Sequence, residues 1–268
     1  MLHACLRDGV PVGLATVVEH TPLEEATRHL PPLGSKLLVR PDQAVVGTLG
    51  SDALDASVTR DITRALQSGH NMTTSYGAHG EPTGSALAVF IEVWSPPPQM
   101  LIFGAVDFSR ALVRVAKVLG FSVTVCDARP VFATQGRFPE ADKVVVDWPH
   151  RHLASVASRL GPSDAICVLT HDHKFDIPAL TAALATKVGY IGAMGSRRTH
   201  AARVALLRDE GVSEDHIERI FGPIGIDIGA RTPEETAVAI CAEIISLRAG
   251  VPAASLRDAS GPIHKVAS

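Results

Sequence analysis

Two glycine-punctuated loops in the last third of the chain hold the residue types best suited to chemistry. The first is Gly189-Tyr190-Ile191-Gly192-Ala193-Met194-Gly195-Ser196-Arg197-Arg198. A short apolar strand, Val188 to Ile191, leads into it, and Ser196 stands where a helix N-cap belongs. Free backbone N–H groups at a helix start, two arginines and close-approaching glycines make a receptor for an anionic group such as a phosphate. The plainer reading is a βα turn with solvated arginines. The second loop is Gly222-Pro223-Ile224-Gly225-Ile226-Asp227-Ile228-Gly229, too apolar and too glycine-rich for an ordinary surface turn. Gly225, Asp227 and Gly229 are expected to line the same crevice. The alternative is a buried loop whose glycines supply left-handed backbone. Thr232-Pro233-Glu234-Glu235 then opens a helix with an N-cap, a proline at the first helical position and first-turn carboxylates. The helix dipole accounts for Glu234 and Glu235 without assigning them chemistry.

Thr170-His171-Asp172-His173-Lys174-Phe175-Asp176 follows the apolar run Ala165 to Leu169. His and Asp are ligand types for zinc or iron, and a strand's carboxyl end in a doubly wound sheet is where ligands bind. The other reading is a βα loop with Asp176 as N-cap before Pro178. Thr170 and His171 are kept as crevice candidates, and no metal is assigned. The segment Leu101 to Leu112, LIFGAVDFSRAL, has the form of a first βα turn. A dinucleotide fingerprint needs glycine for the tight turn, for pyrophosphate approach and for helix packing. Gly104, Val106 and Ser109 occupy those places, so only the first glycine is present. Val106 puts a β-branched side chain where pyrophosphate would lie. Asp127 ends the following strand in the position of a ribose-binding acid. NAD(P) therefore stays an open cofactor reading, supported by Gly104 and Asp127 and opposed by Val106 and Ser109. No G-x-S-x-G elbow and no Walker loop is present, and no catalytic residue is assigned.

These loops need a frame. From Met100 the pattern alternates strand and helix. Strands are predicted at 100–104, 122–126, 143–147, 165–169 and 187–191, and helices at 107–119, 150–160, 176–186, 197–210 and 232–249. Regular βα alternation predicts a Rossmann-like, doubly wound parallel sheet over residues 100–250. Residues 1–95 read differently. VGLATVVEH, SKLLVRPDQAVVGTL and SALAVFIEVW are strand-like around one helix, Asp55 to Ser68, which predicts a small α+β domain. Residues 96–99 form a proline-rich linker, and 251–268 a small, polar, flexible tail.

The chain has 268 residues, 46% of them hydrophobic, and 25 basic against 28 acidic side chains. A net charge of −3 leaves no basic surplus for phosphate neutralisation, so nucleic acid is not an expected partner. The start MLHACLRDGVP has no apolar signal-peptide core, and SALAVFIEVW is too short to span a bilayer. The expected location is the cytoplasm, away from membranes. Cys5, Cys126, Cys167 and Cys241 lack CxxC spacing and are expected to be buried free thiols.

The pair GYIGAMGSRR and PIGIDIGARTPEETAVAICAEI resembles the C-terminal signature of the XdhC/CoxI family. VPVGLATVVEHTP (10–22) is similar to that family's opening strand, and residues 100–146 to its nucleotide-fold segment. The resemblance runs from about Val10 to Gly250. It implies an accessory protein, more a cofactor carrier than an enzyme, that binds molybdenum cofactor (molybdopterin) and protects it while its terminal sulfur is installed. The carrier then passes the cofactor to a molybdenum hydroxylase apoenzyme of the xanthine or carbon monoxide dehydrogenase type. A cysteine desulfurase and a second copy of the chain are the further partners it implies. Gly192, Gly195, Ser196 and Arg197 are then expected at the phosphate end, with Thr170, His171, Asp227 and Gly229 lining the crevice. Two departures stand out. The family's G-A-G-H-V-G turn is here Gly104-Ala105-Val106-Asp107-Phe108-Ser109. Its G-S-I-x-G-G-C-V-E loop is here Gly47 to Asp55, with Ala53 at the cysteine position. Alanine cannot ligate a metal or carry a persulfide. A member that kept the fold but lost thiol chemistry would be a cofactor-free scaffold docking the hydroxylase. The plainer reading of this segment is a helix entry capped by Ser51 or Asp52.

Overall fold

The structure is a computed structural model and describes residues 1–21, 30–41, 43–81 and 84–258. The chain divides into two compact units: Met1–Pro96 with the chain end from Leu256, and Pro97–Ser255. Within the stretch expected to be a tail, Leu256–Asp258 form a single 3-10 turn, and residues 259–268 lie outside the described residues. Pro22, which ends the opening-strand motif, also lies outside them.

The first unit begins with a short helix, α1 (Leu2–Asp8), and holds a five-stranded sheet, order β3-β2-β1-β5-β4. Its strands are β1 (Val12–His20), β2 (Lys36–Val39), β3 (Val46–Gly47), β4 (Met72–Tyr76) and β5 (Leu87–Trp94). All the pairings are antiparallel. One helix, α2 (Asp52–Ser68), covers the sheet. Leu54, Val58, Ile62, Ala65 and Leu66 recur at helical spacing and are all buried. The helix starts three residues before the predicted Asp55, because the Ser51 hydroxyl accepts the Leu54 N–H at 3.3 Å and caps it. Gly13 of β1 lies under Ile62, where a Cβ would come within 2.2 Å of the Ile62 side chain.

The second unit is a six-stranded, all-parallel sheet in the order β11-β10-β9-β6-β7-β8. Its strands are β6 (Gln99–Phe103), β7 (Ser122–Asp127), β8 (Lys143–Val146), β9 (Ala165–Val168), β10 (Tyr190–Ala193) and β11 (Ile220–Phe221). Counted from β6 this is the 3-2-1-4-5-6 order of a doubly wound dinucleotide fold, so the expected fold class is the observed one. Alternation along each strand builds two cores. Met100, Ile102, Val123 and Val125 face one side with helices α3 (Asp107–Val118) and α8 (Pro233–Ala249). Leu101, Phe103, Ile166 and Val168 face the other, with α4 (Pro149–Val156), α5 (His173–Leu184) and α6 (Arg197–Asp209). A short α7 (Glu214–Ile217) precedes β11. Gln99, expected in the linker, already belongs to β6: its N–H is held by Asp164 at 2.6 Å.

The topological switch falls between β6 and β9, where neighbouring chains leave the sheet in opposite directions. The loops after β6, β9, β10 and β11 therefore gather along one edge, the carboxyl ends of the strands, where such sheets bind ligands. Every sequence-predicted site residue of this unit lies at the carboxyl end of a strand or in a loop that follows one, except Arg197, the first residue of α6.

Candidate functional site

The first βα turn is closed on itself. Gly104 has φ +109°, and a Cβ there would lie 2.8 Å from the Thr170 methyl group, so the loops after β6 and β9 touch at this glycine. Asp127, 3% exposed, accepts the Ala105 N–H at 2.8 Å and the Arg129 N–H at 2.9 Å. The Arg129 guanidinium adds contacts at 2.9 and 2.7 Å. Burial alone would raise this carboxyl, but the Arg129 and backbone bonds together hold it below the ordinary carboxylate range. Ser109, fully buried, donates to the Gly104 carbonyl at 2.5 Å and accepts the Val106 N–H at 3.4 Å. The acid expected to read a ribose is thus engaged by the turn itself. The N–H groups after Gly104 have internal acceptors rather than facing a pyrophosphate.

The loop after β9 also differs from its expectation. Asp172, not Asp176, caps α5, accepting the Lys174 N–H at 3.0 Å, and the helix starts at His173. Asp176 turns inward instead. It is fully buried, accepts the Thr170 hydroxyl and pairs with Arg203 at 2.7 Å. Thr170 therefore holds the loop in place and has no free hydroxyl hydrogen for a ligand. His171 is exposed beside it. No group of three or more His, Cys, Asp or Glu side chains able to hold a metal occurs among the described residues.

The loops after β10 and β11 do come together. Ser196, Arg197, Arg198, Pro223, Gly225 and Asp227 line an open pocket of about 550 Å³, within the usual range for small-molecule sites. Ser196 caps α6 as expected, accepting the Thr199 N–H at 3.1 Å. That leaves the first-turn N–H groups of Arg197 and Arg198 for a ligand. Both arginine side chains are exposed, and neither forms an ion pair among the described residues. Gly195, at φ +147°, is packed by Thr199: a Cβ there would sit 3.1 Å from the Thr199 side chain. Asp227 is exposed, and one carboxylate oxygen accepts the Gly229 N–H at 3.3 Å. Gly229, at φ +72°, has open space around it.

Other side chains, not read from the sequence, fix this pocket. Glu243 of α8 accepts the Tyr190 hydroxyl at 2.5 Å and the Gly225 N–H at 2.9 Å, so the second loop is tied to β10. Burial and the Glu243 carboxylate push the Tyr190 hydroxyl well above its ordinary value, so it remains a donor. Gly192 is explained by packing. It lies within β10, and a Cβ there would come within 2.4 Å of Ile224. His200 of α6 lies against Gly222, where a Cβ would meet its ring at 2.1 Å. Burial, then Arg203, lowers the His200 pKa, which favours the neutral ring.

Ser196, Arg197 and Asp227 thus share one pocket, with Gly195 and Gly229 in its loops. Gly104, Asp127, Thr170 and His171 belong to the switch point, about two strand spacings, or roughly 10 Å, along the sheet edge. In the first unit Ala53 lies exposed in the first turn of α2, with no thiol. All four cysteines are buried and free, as expected, and burial pushes Cys126 and Cys241 up to about 12.

Similarity to known proteins bears on the fold and the family. A probable xanthine dehydrogenase subunit of Bacillus subtilis is 34% identical over 60% of the chain and 46% of its own length. The molybdenum cofactor insertion chaperone PaoD of Escherichia coli is 28% identical over 62% of the chain and 45% of its own length. The chain thus matches about half the length of these curated relatives. A crystal structure of a xanthine dehydrogenase from Bacillus halodurans superposes with a TM-score of 0.50 at 22% identity, over 92% of this chain and 94% of that one. It supports the fold alone. The XdhC Rossmann domain family matches residues 100–244, and the XdhC and CoxI family matches residues 5–77. With both family domains matched and the Rossmann domain alone spanning more than half its length, the chain belongs to the XdhC and CoxI family.

Proposed function

We propose that this chain serves the maturation of molybdenum hydroxylases by binding molybdenum cofactor and passing it to the apoenzyme. The observation that carries the reading is the pocket where two arginines without carboxylate partners among the described residues meet the N-terminus of α6. A phosphate monoester suits that end, since N-terminal N–H groups and guanidinium forks both favour it. The PaoD relative, whose name describes insertion of this cofactor, supports the same class of cargo. Arg197, Arg198 and the N–H groups after Ser196 would hold the phosphate. Asp227 would face donors elsewhere on the cargo. The chain's own work is then binding, shielding and release, without turnover. Ala53 means that this carrier works without a thiol at that position.

Transfer is the direct test. Loaded chain mixed with a cofactor-free hydroxylase is expected to lose molybdenum to it as hydroxylase activity rises. A stable complex in which molybdenum never moves would favour the scaffold reading instead.

A nucleotide-dependent oxidoreductase is the second reading, favoured by the strand order alone. The closed turn at Asp127 and Ser109 weighs against it. Val106→Gly with Ser109→Gly is therefore expected to give no measurable NAD(P) affinity, because Asp127 still takes the Ala105 N–H. Saturable NAD(P) binding by that variant in calorimetry would revive the oxidoreductase.

A further inference from the structure

Arg203 lies seven residues after Ser196, two turns along α6, and so shares its face of the helix. That face turns inward, as buried Leu207 four residues later confirms. Arg203 and Asp176 are both fully buried, and Nη2 of Arg203 lies 2.7 Å from Oδ2 of Asp176. The same nitrogen donates to the Met194 carbonyl at 3.0 Å. The other oxygen of Asp176 accepts the Thr170 hydroxyl. The loop after β9, the start of α5, the loop after β10 and α6 are tied at one point. Nε and Nη1 of Arg203 are buried with no hydrogen-bond partner among the described residues.

An ion pair taken out of water with two donors unpaired is a poor way to stabilise a fold. Neutral residues of similar volume serve as well or better. What neutral packing does not supply is direction. The pair fixes the Met194 carbonyl, two residues before the Ser196 cap, against Thr170, one residue before His171. Resting on the cofactor reading of the pocket, we propose that Arg203 is a positioning residue. Through Asp176 it sets the anion-binding end of α6 against the loop after β9, and it serves site geometry rather than stability.

The test pairs thermal unfolding with anaerobic titration by molybdenum cofactor, for the parent, Arg203→Met, Asp176→Asn, their combination and Arg197→Ala. Each single change in the buried pair leaves a polar group without its partner and lowers the melting temperature. The combination is neutral and keeps an acceptor for Thr170. It removes both buried charges, leaving only the Asn amide hydrogens and the Met194 carbonyl unpaired, and is expected to melt above either single variant yet bind cofactor at least about tenfold more weakly, the scale on which supporting residues act at a site. Parent-like affinity in that stable combination overturns the proposal. If the combination does not fold, Thr170→Val decides, since it cuts only the tie to the β9 loop. Weaker binding supports the positioning role, and unchanged affinity overturns it. Arg197→Ala separates the two levels. Should it weaken binding while the buried-pair variants do not, positioning fails and the pocket reading stands. No binding by the parent overturns both.

Discussion

Asp176→Ala is expected to destabilise the second unit by about 3–5 kcal/mol, the cost of leaving one member of a buried ion pair alone. The loss falls on several groups at once. Arg203 would keep a buried guanidinium with a single acceptor, the Met194 carbonyl, since Nε and Nη1 already lack partners among the described residues. Thr170 would lose the acceptor of its buried hydroxyl. Small domains hold only about 5–15 kcal/mol in total, so this is a large share. At about 2–4 °C per kcal/mol for a unit of this size, the melting temperature should fall by roughly 6–20 °C. Calorimetry checks this, and Asp172→Ala is the useful contrast. Asp172 is exposed, caps α5 and at most attracts the solvent-screened Arg129 guanidinium, so its loss should cost about 1 kcal/mol. Equal losses in the two variants would show that the buried pair carries no special weight.

Replacing Arg197 and Arg198 together by alanine should have the largest effect on binding and almost none on stability. Both side chains are exposed and lack ion-pair partners among the described residues, so the folded state loses little. A charged hydrogen bond contributes about 1.5–3 kcal/mol, so losing even one should weaken cofactor binding by roughly 10–100-fold. The first-turn N–H groups remain, and residual affinity should persist and fall with added salt. An affinity within twofold of the parent would place the anion elsewhere.

Much of the frame is legible in the sequence because hydrophobic period reports it directly. VGLATVVEH reads as a strand and is β1 to the residue, and the strand expected at 100–104 is 99–103. The differences have physical causes. The strand expected at 187–191 runs 190–193, because Gly192 looks like a loop glycine in the sequence and is a packing glycine under Ile224 in the fold. The helix expected from Asp176 begins at His173, because an Asp two residues before Pro178 looks like a cap. Only the fold shows that its carboxylate is needed by Arg203. Proline is tolerated there, inside α5, although it has no N–H to give the preceding turn.

The pocket is half legible. Ser196, Arg197 and Asp227 sit in recognisable loops, and their meeting follows from β10 lying beside β11. Arg203 does leave a signal: a charged residue at helical spacing from Leu207, on the face that packs inward. Glu243 leaves none, since nothing in α8 alone says that a loop 18 residues earlier supplies its N–H partner.

The most direct measurement is an anaerobic titration of the purified chain with molybdenum cofactor, run beside Arg197→Ala with Arg198→Ala, and beside Ala53→Cys. Saturable binding by the parent is expected, with loss of at least about tenfold in the double arginine variant and no need for the restored thiol. No binding by the parent, with binding appearing only in Ala53→Cys, would contradict it and leave a scaffold that has lost its cargo.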